Sequence, residues 1–323
     1  MRAFQVQSFT APPQIVTCPV PVPGPGEVAL RIGACGINFA DMLMAQGKYQ
    51  DTPPLPFTLG MEVCGTVTAL GDGVTTPPVG TRVCVFGGRG GMAETGVFPA
   101  VLCRPVPDDM PDTVAAGFQV AYGTSHLALT RRAGLRRRET LLVLGAAGGV
   151  GLTAVEIGKA LGATVIAVAR GADKLEVARK AGADYLIDST DGDLKARLKA
   201  LCAGIGGVDV VYDPVGGDAF MATLSVCNPE ARVIAIGFAS GTVPQIPANI
   251  LLVKNISVIG FYWGGYLKFH PEALTESLAE LMKWYAQGLL HPHISEVLPL
   301  DRAQEGLDLI ASRAATGKVV ITP

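Results

Sequence analysis

The stretch that decides the fold runs from Glu139 to Arg170, ETLLVLGAAGGVGLTAVEIGKALGATVIAVAR. An apolar run from Leu141 to Leu144 meets a glycine-rich turn, then a helical pattern, then a second apolar run rich in β-branched residues. Strand, turn, helix and strand in that order make a βαβ unit. Gly145, Gly148, Gly149 and Gly151, with Val150 among them, crowd the turn. Residues this small let backbone N–H groups and the positive end of a helix come close to a phosphate. The spacing is GxxGxxG rather than the strict GxGxxG. Its place between a strand and a helix nevertheless marks the pyrophosphate site of a dinucleotide.

The chain has 323 residues, enough for two domains with a sizeable core. At 49% hydrophobic and 17% charged it reads as globular. With 26 basic and 28 acidic residues, its formal charge of −2 gives no pull toward nucleic acid or a membrane surface. No uninterrupted apolar run reaches the ~18 residues of a membrane span, and the first residues alternate like a strand rather than a signal sequence. Seven cysteines, with no C-x-x-C pair, lie mostly in apolar runs. Reduced thiols and a cytoplasmic location are expected.

Up to about residue 120 the pattern is of short strands (RAFQVQ, EVALRIGACGI, EVCGTVTAL, GTRVCVF, MAETGVF) separated by Pro and Gly turns. This predicts a compact, partly open β barrel with one short helix from Phe39 to Gln46. From Asp112 helical spacing sets in, and strands then alternate with helices through NISVIGFYW. Such alternation predicts a doubly wound parallel sheet of about six strands. Two amphipathic helices follow, and a last strand, KVVITP, returns to the first domain.

The second strand of the βαβ unit ends at Arg170, where an NAD enzyme usually carries an acid for the ribose hydroxyls. Asp173 comes only later, flanked by Arg170 and Lys174. A cation at the strand tip suits a 2′-phosphate, so NADPH is expected rather than NADH.

VLGAAGGVG, GINFADMLMAQGKY, LGMEVCGTVTALG, VDVVYDPVGG and SRAATGKVVITP together resemble the medium-chain dehydrogenase/reductase superfamily, and most of all its quinone oxidoreductase branch. The resemblance implies a GroES-like barrel for substrate, over residues 1–123 and 264–323, and a Rossmann domain for NADPH over 124–263. Alcohol dehydrogenases of this superfamily bind zinc at three positions that fall here at Asn38, Met61 and Val120. None is a zinc ligand, so no metal is expected. Without a Lewis acid the acceptor must already be electrophilic, a quinone or a conjugated carbonyl compound.

The same resemblance assigns the site. Asn38 and Tyr49 face nicotinamide and substrate, Asn38 bonding the cofactor or the substrate oxygen and Tyr49 donating to the reduced oxygen. Asp41 caps or orients their loop. A further tyrosine common in the family is Leu43 here. Cofactor contacts fall at Thr124, at Gly237 and Phe238 after a parallel strand, and at Phe261 and Trp263 around the nicotinamide. Arg313 and Lys318 reach the cofactor phosphates, and Ser189 replaces a family tyrosine.

Arg131, Arg132, Arg136, Arg137 and Arg138 form a basic cluster, either a solvated helix end or a site for a phosphate-bearing substrate such as an acyl-CoA. The expected function is zinc-free, NADPH-dependent reduction of a small electrophilic acceptor by a homodimer. The alternatives are an enoyl- or acryloyl-CoA reductase and a nucleotide-binding protein without turnover.

Overall fold

A computed structural model describes residues 1–323. The chain divides into two compact units, Met1–Val120 with Pro292–Pro323, and Ala121–His291.

The first unit opens with strands β1 (Arg2–Val6), β2 (Gln14–Thr17), β3 (Glu27–Gly36), β4 (Phe57–Thr58), β5 (Glu62–Leu70), β6 (Arg82–Phe86), β7 (Thr95–Pro99) and β8 (Arg104–Pro105). Helices α1 (Phe39–Ala45) and α2 (Asp112–Ala116) lie between and after them. The proline-rich connector Pro19–Gly26 forms no strand, as the lost ladder donors require. Helical spacing breaks at Gly117 and resumes in α3 (Gln119–Leu127).

The second unit is built on β9 (Thr140–Leu144), β10 (Thr164–Ala169), β11 (Tyr185–Asp188), β12 (Val208–Asp213), β13 (Cys227–Ala235) and β14 (Ser257–Gly260). Every pairing is parallel, in the order β11-β10-β9-β12-β13-β14. This is the doubly wound arrangement that the alternating pattern predicts, and its strand order reverses beside β9. All five residues of β9 are buried, as expected of a strand covered on both faces. The helices are α4 (Gly149–Ala160), α5 (Ala172–Lys180), α6 (Leu194–Ile205), α7 (Gly217–Thr223), α8 (Ala248–Lys254), α9 (Tyr266–Phe269) and α10 (Pro271–Ala286).

Helix α10 departs from the expected division, which gave residues 264–323 to the barrel. Its Ser277 hydroxyl lies 2.8 Å from His126 Nδ1, and its Trp284 meets the His126 ring edge-on at 5.2 Å. Residues 264–291 therefore belong with the parallel sheet. An amphipathic stripe shows that a helix has a core to face, not which core.

The tail completes the first unit with β15 (Ile294–Pro299), α11 (Ala303–Ala311) and β16 (Lys318–Thr322). Strand β16 pairs antiparallel with β3 and parallel with β15, giving a sheet β15-β16-β3-β5-β6-β8 with β7 also on β3. A second sheet, β2-β1-β4, packs on it through Phe4, Val6, Leu30, Val63, Phe98 and Val319. This is the partly open barrel.

Candidate functional site

In the second unit the glycine turn is shaped by close approach. Gly145 has φ +60°, and the N–H of Gly148 donates to its carbonyl at 3.0 Å. A Cβ on Gly151 would lie 2.2 Å from the Gly145 oxygen, so only glycine lets α4 start this near the turn. Gly148 caps α4 with no side-chain bond. The first N–H groups of Gly149, Val150 and Gly151 have no intrahelical partner and carry the positive end of the helix dipole. The turn is braced from below. Ser125 Oγ donates to the Val150 carbonyl at 2.8 Å and lies 2.8 Å from Thr153 Oγ1 and 3.0 Å from the Tyr212 hydroxyl. This buried brace went unread in the sequence, where its only signal is a run of small hydroxyl residues beside Thr124.

The tip of β10 faces the tip of β11, Ala169 pairing with Asp188. Arg170 and Ser189 are the next residue out on each strand. Arg170 is exposed, and Lys174 is half-buried one turn into α5. Ser189 holds the Ala169 carbonyl, its N–H at 2.8 Å and its hydroxyl at 3.3 Å. An acid does sit at this edge, one strand over. Asp188 Oδ1 accepts from Gly171 N at 3.1 Å and from Thr190 N and Oγ1 at 2.8 and 2.7 Å. Those donors hold its carboxyl below the usual range. A groove of about 910 Å³ opens from Ser189 past Asp193, Asp218 and Asn249, but the glycine turn does not line it.

At the carboxyl edge of β12, Asp213 Oδ1 accepts from Val215 N and Gly216 N at 2.7 and 2.9 Å. Gly237 follows β13, and Phe238 is 39% exposed. Thr124 is buried. Phe261 and Trp263, expected around the nicotinamide, are packed into their own unit. Both rings are buried, Phe261 at 5.7 Å from Tyr266 and Trp263 where a Cβ on Gly123 would stand. Tyr262 is the outward ring of the three. The arginine cluster precedes β9, with Arg138 N on the Gly162 carbonyl. Arg136, Arg137 and Arg138 lie at the opposite end of the strand from the turn, about 17 Å away at ~3.3 Å per residue, whereas Arg132 donates to the carbonyl of Gly260, the last residue of β14, at 3.3 Å. That separates Arg136, Arg137 and Arg138 from the glycine turn, and all five arginines are exposed.

In the first unit a buried charge network underlies the α1 loop. Lys318 Nζ donates to Glu62 Oε1 at 2.7 Å, Asn38 Oδ1 at 2.8 Å and the Ile37 carbonyl at 2.8 Å. Glu62 is 1% and Lys318 6% exposed. Glu62 also accepts from Asn38 Nδ2 at 3.0 Å and from Val120 N at 3.0 Å. Lys318 was expected on a cofactor phosphate, but all three of its ammonium hydrogens are spent here. Arg313 is exposed, just past the end of α11.

Asp41, expected among the catalytic residues, is completely buried. Its oxygens accept from Asn38 N at 2.8 Å and Gly60 N at 3.1 Å, so it orients the loop. Burial pushes its carboxyl up to about 7, against the lowering pull of those N–H groups and of Lys318. Tyr49 is half-buried and packs on the barrel core. Met61 lies in that core, and no group of three or more His, Cys, Asp or Glu is placed to hold a metal ion.

A glycine turn at a switch point, cations at the next strand tip and a polar loop on a separate barrel define a dinucleotide-dependent oxidoreductase of two units. Residues 24–108 match the alcohol dehydrogenase GroES-like domain, and residues 149–285 match the zinc-binding dehydrogenase domain. The chain is 41% identical to a quinone oxidoreductase-like protein 2 homolog of Nematostella vectensis, covering 92% of this chain and 82% of that one. It is 33% identical to the human synaptic vesicle membrane protein VAT-1 homolog, over 94% and 80% of the two chains. The quinone oxidoreductase of Escherichia coli, solved with NADPH, superposes over 100% of both chains with TM-score 0.91 and 31% identity. The chain belongs to the quinone oxidoreductase branch of the medium-chain dehydrogenase/reductase superfamily.

Proposed function

We propose that the chain is an NADPH-dependent, zinc-free reductase of quinones or related electrophilic carbonyl compounds. The observation that carries it is the pairing of the glycine turn and the α4 N-terminus with Arg170 and Ser189 on the adjacent strand tips. The turn takes the pyrophosphate, Arg170 and Lys174 take the 2′-phosphate, and Ser189 adds a hydroxyl. NADPH supplies hydride when bound. The chain's own contribution on the acceptor side is orientation by the Asn38 loop, with the Tyr49 hydroxyl donating to the reduced oxygen. Zinc independence is supported by Met61, whose place in the core offers no ligand, and by Asn38 and Val120, which hydrogen-bond to Glu62 instead.

A homodimer formed by pairing of β14, the edge strand, fits the apolar neighbours Leu252 and Val253, 77% and 76% exposed. Monomer mass by light scattering at micromolar concentration would contradict it. A cytoplasmic location accords with seven free cysteines, six of them buried. The deciding assay is NADPH oxidation against a panel of quinones, enones and enoyl-CoAs. Turnover concentrated on quinones or enones supports the reading. Selective enoyl-CoA turnover favours the double-bond reductase, and a flat panel despite tight NADPH binding favours the non-catalytic one.

A further inference from the structure

Asn38 is bracketed by two charged side chains of opposite hydrogen-bonding character. Lys318 has only donors, so the amide atom 2.8 Å from its Nζ is the oxygen. The Glu62 carboxylate has only acceptors, so the atom 3.0 Å from its Oε1 is Nδ2. Turning the amide over would set NH₂ against ammonium and carbonyl against carboxylate, losing both bonds at once. The other Nδ2 hydrogen reaches the Gly36 carbonyl at 3.4 Å. Both donors of Asn38 are therefore directed into its own unit, and what it can offer a ligand is Oδ1.

We infer that Lys318 and Glu62 are a positioning pair that fixes Asn38 as a hydrogen-bond acceptor, so the ligand group it takes is an N–H or O–H donor and not a carbonyl oxygen. This rests on the oxidoreductase reading above, which supplies two sources of such a donor: the carboxamide N–H of the nicotinamide, and the hydroxyl of the reduced acceptor. The network has the burial that positioning needs. Glu62 and Lys318 are 256 residues apart in sequence, yet their side chains are 1% and 7% exposed. Rotation of the amide must therefore give up two bonds to desolvated charged groups while the Lys318–Glu62 pair stays in place.

The test compares two ligands on one protein, because a ratio of affinities cancels a general loss of stability. One pair is NADPH and its 3-acetylpyridine analogue, in which a methyl ketone replaces the carboxamide. The other is a hydroquinone and its dimethyl ether, measured as product inhibitors. The wild type should favour the donor-bearing member of at least one pair by roughly three- to tenfold, the scale of one net hydrogen bond. A preference within the first pair assigns the donor to the nicotinamide, and one within the second to the reduced acceptor. The preference should fall to near one in Asn38→Leu. It should fall likewise in Glu62→Gln/Lys318→Met, where the amide is free to turn, and survive in Lys318→Arg. Equal affinities within both pairs in the wild type would overturn the inference, as would a preference that persists in the double variant. Should the double variant not fold, a preference retained in Asn38→Leu overturns it. Absence of turnover with any acceptor would defeat the proposed function alone, since the NADPH pair is read by binding.

Discussion

Replacing Gly151 by Ala tests the glycine turn with the smallest possible perturbation. The added Cβ would stand 2.2 Å from the Gly145 oxygen, 2.8 Å from its carbonyl carbon and 3.1 Å from Ala146 Cα. All three atoms are backbone, so no side chain can swing aside. Restoring an ordinary carbon–oxygen contact of ~3.3 Å requires the first turn of α4 and the Gly145 loop to separate by about 1 Å. Overpacking of this kind costs about 1–3 kcal/mol in stability. Displacing by about 1 Å the N–H groups that hold a pyrophosphate weakens their grip by up to ~100-fold. The expected outcome is a folded protein, melting a few degrees lower, whose Kd for NADPH by fluorescence titration rises between about 10- and 100-fold. Gly204→Ala is the control. It lies inside α6 with nothing within 4 Å of the new methyl, so it should stabilise by ~0.5–1 kcal/mol and leave NADPH binding unchanged. NADPH binding within twofold of the wild type in Gly151→Ala would refute the argument from close approach.

Three further outcomes follow from the same geometry. Lys318→Met leaves Glu62 buried without its cation and should cost about 3–5 kcal/mol by denaturant unfolding, while Glu62→Gln/Lys318→Met should recover most of it; equal losses in the two would deny that the pair is electrostatically coupled. Arg170→Ala should lower the affinity ratio of NADPH over NADH several-fold, and an unchanged ratio would place the 2′-phosphate elsewhere. Asp41 carries the pH dependence. Its carboxyl holds a proton up to about pH 7 in the folded chain but releases it near the ordinary aspartate value of 3.8 when unfolded. Between those values the folded state binds more protons, so the stability Asp41 contributes is greatest at the acidic end and falls as pH rises through that window, by a few kcal/mol at most. The stability of the wild type minus that of Asp41→Asn should therefore decline from pH 4 to 7; a flat difference would mean that Asp41 is ionised throughout.

The parallel sheet and its turn were legible because their signals are local. A continuous apolar strand, glycines at a fixed spacing and a helical period all fall within the 32 residues from Glu139 to Arg170. Strand β15 was not legible. Only Leu298 of its six residues is buried, so the alternation that marks a strand is missing. Lys318 was misassigned for a different reason. Resemblance to family positions places it on a cofactor phosphate, and nothing nearby in the sequence announces that its partner is Glu62, 256 residues earlier. Asp41 is expected to cap or orient its loop, and its bonds to Asn38 N and Gly60 N agree, although an acid beside Asn38 looks the same in sequence whether its oxygens face a ligand or two backbone N–H groups. What sequence conveys poorly here is the direction in which a polar side chain spends its hydrogen bonds.

That direction also bears on the chemistry. The three positions where a zinc-dependent relative would place its ligands surround one carboxylate in this chain. Asn38 Nδ2 and Val120 N each donate to Glu62, and Met61 precedes it. The cation that meets this carboxylate is the Lys318 ammonium, 2.7 Å away. An ammonium shares a metal's charge but not its open coordination. Its three hydrogens are already committed to Ile37, Asn38 and Glu62, so it cannot draw electron density from a substrate oxygen as a Lewis acid does. A Lewis acid is worth several kcal/mol to carbonyl reduction, and a single preorganised donor such as the Tyr49 hydroxyl about 3 kcal/mol. On the proposed reading the shortfall must come from the acceptor itself. A quinone, which gains aromaticity on reduction, supplies it, and a simple ketone does not. The saturated hydrogen bonding of Lys318 is thus a physical reason for this barrel to favour acceptors that need orienting more than activating.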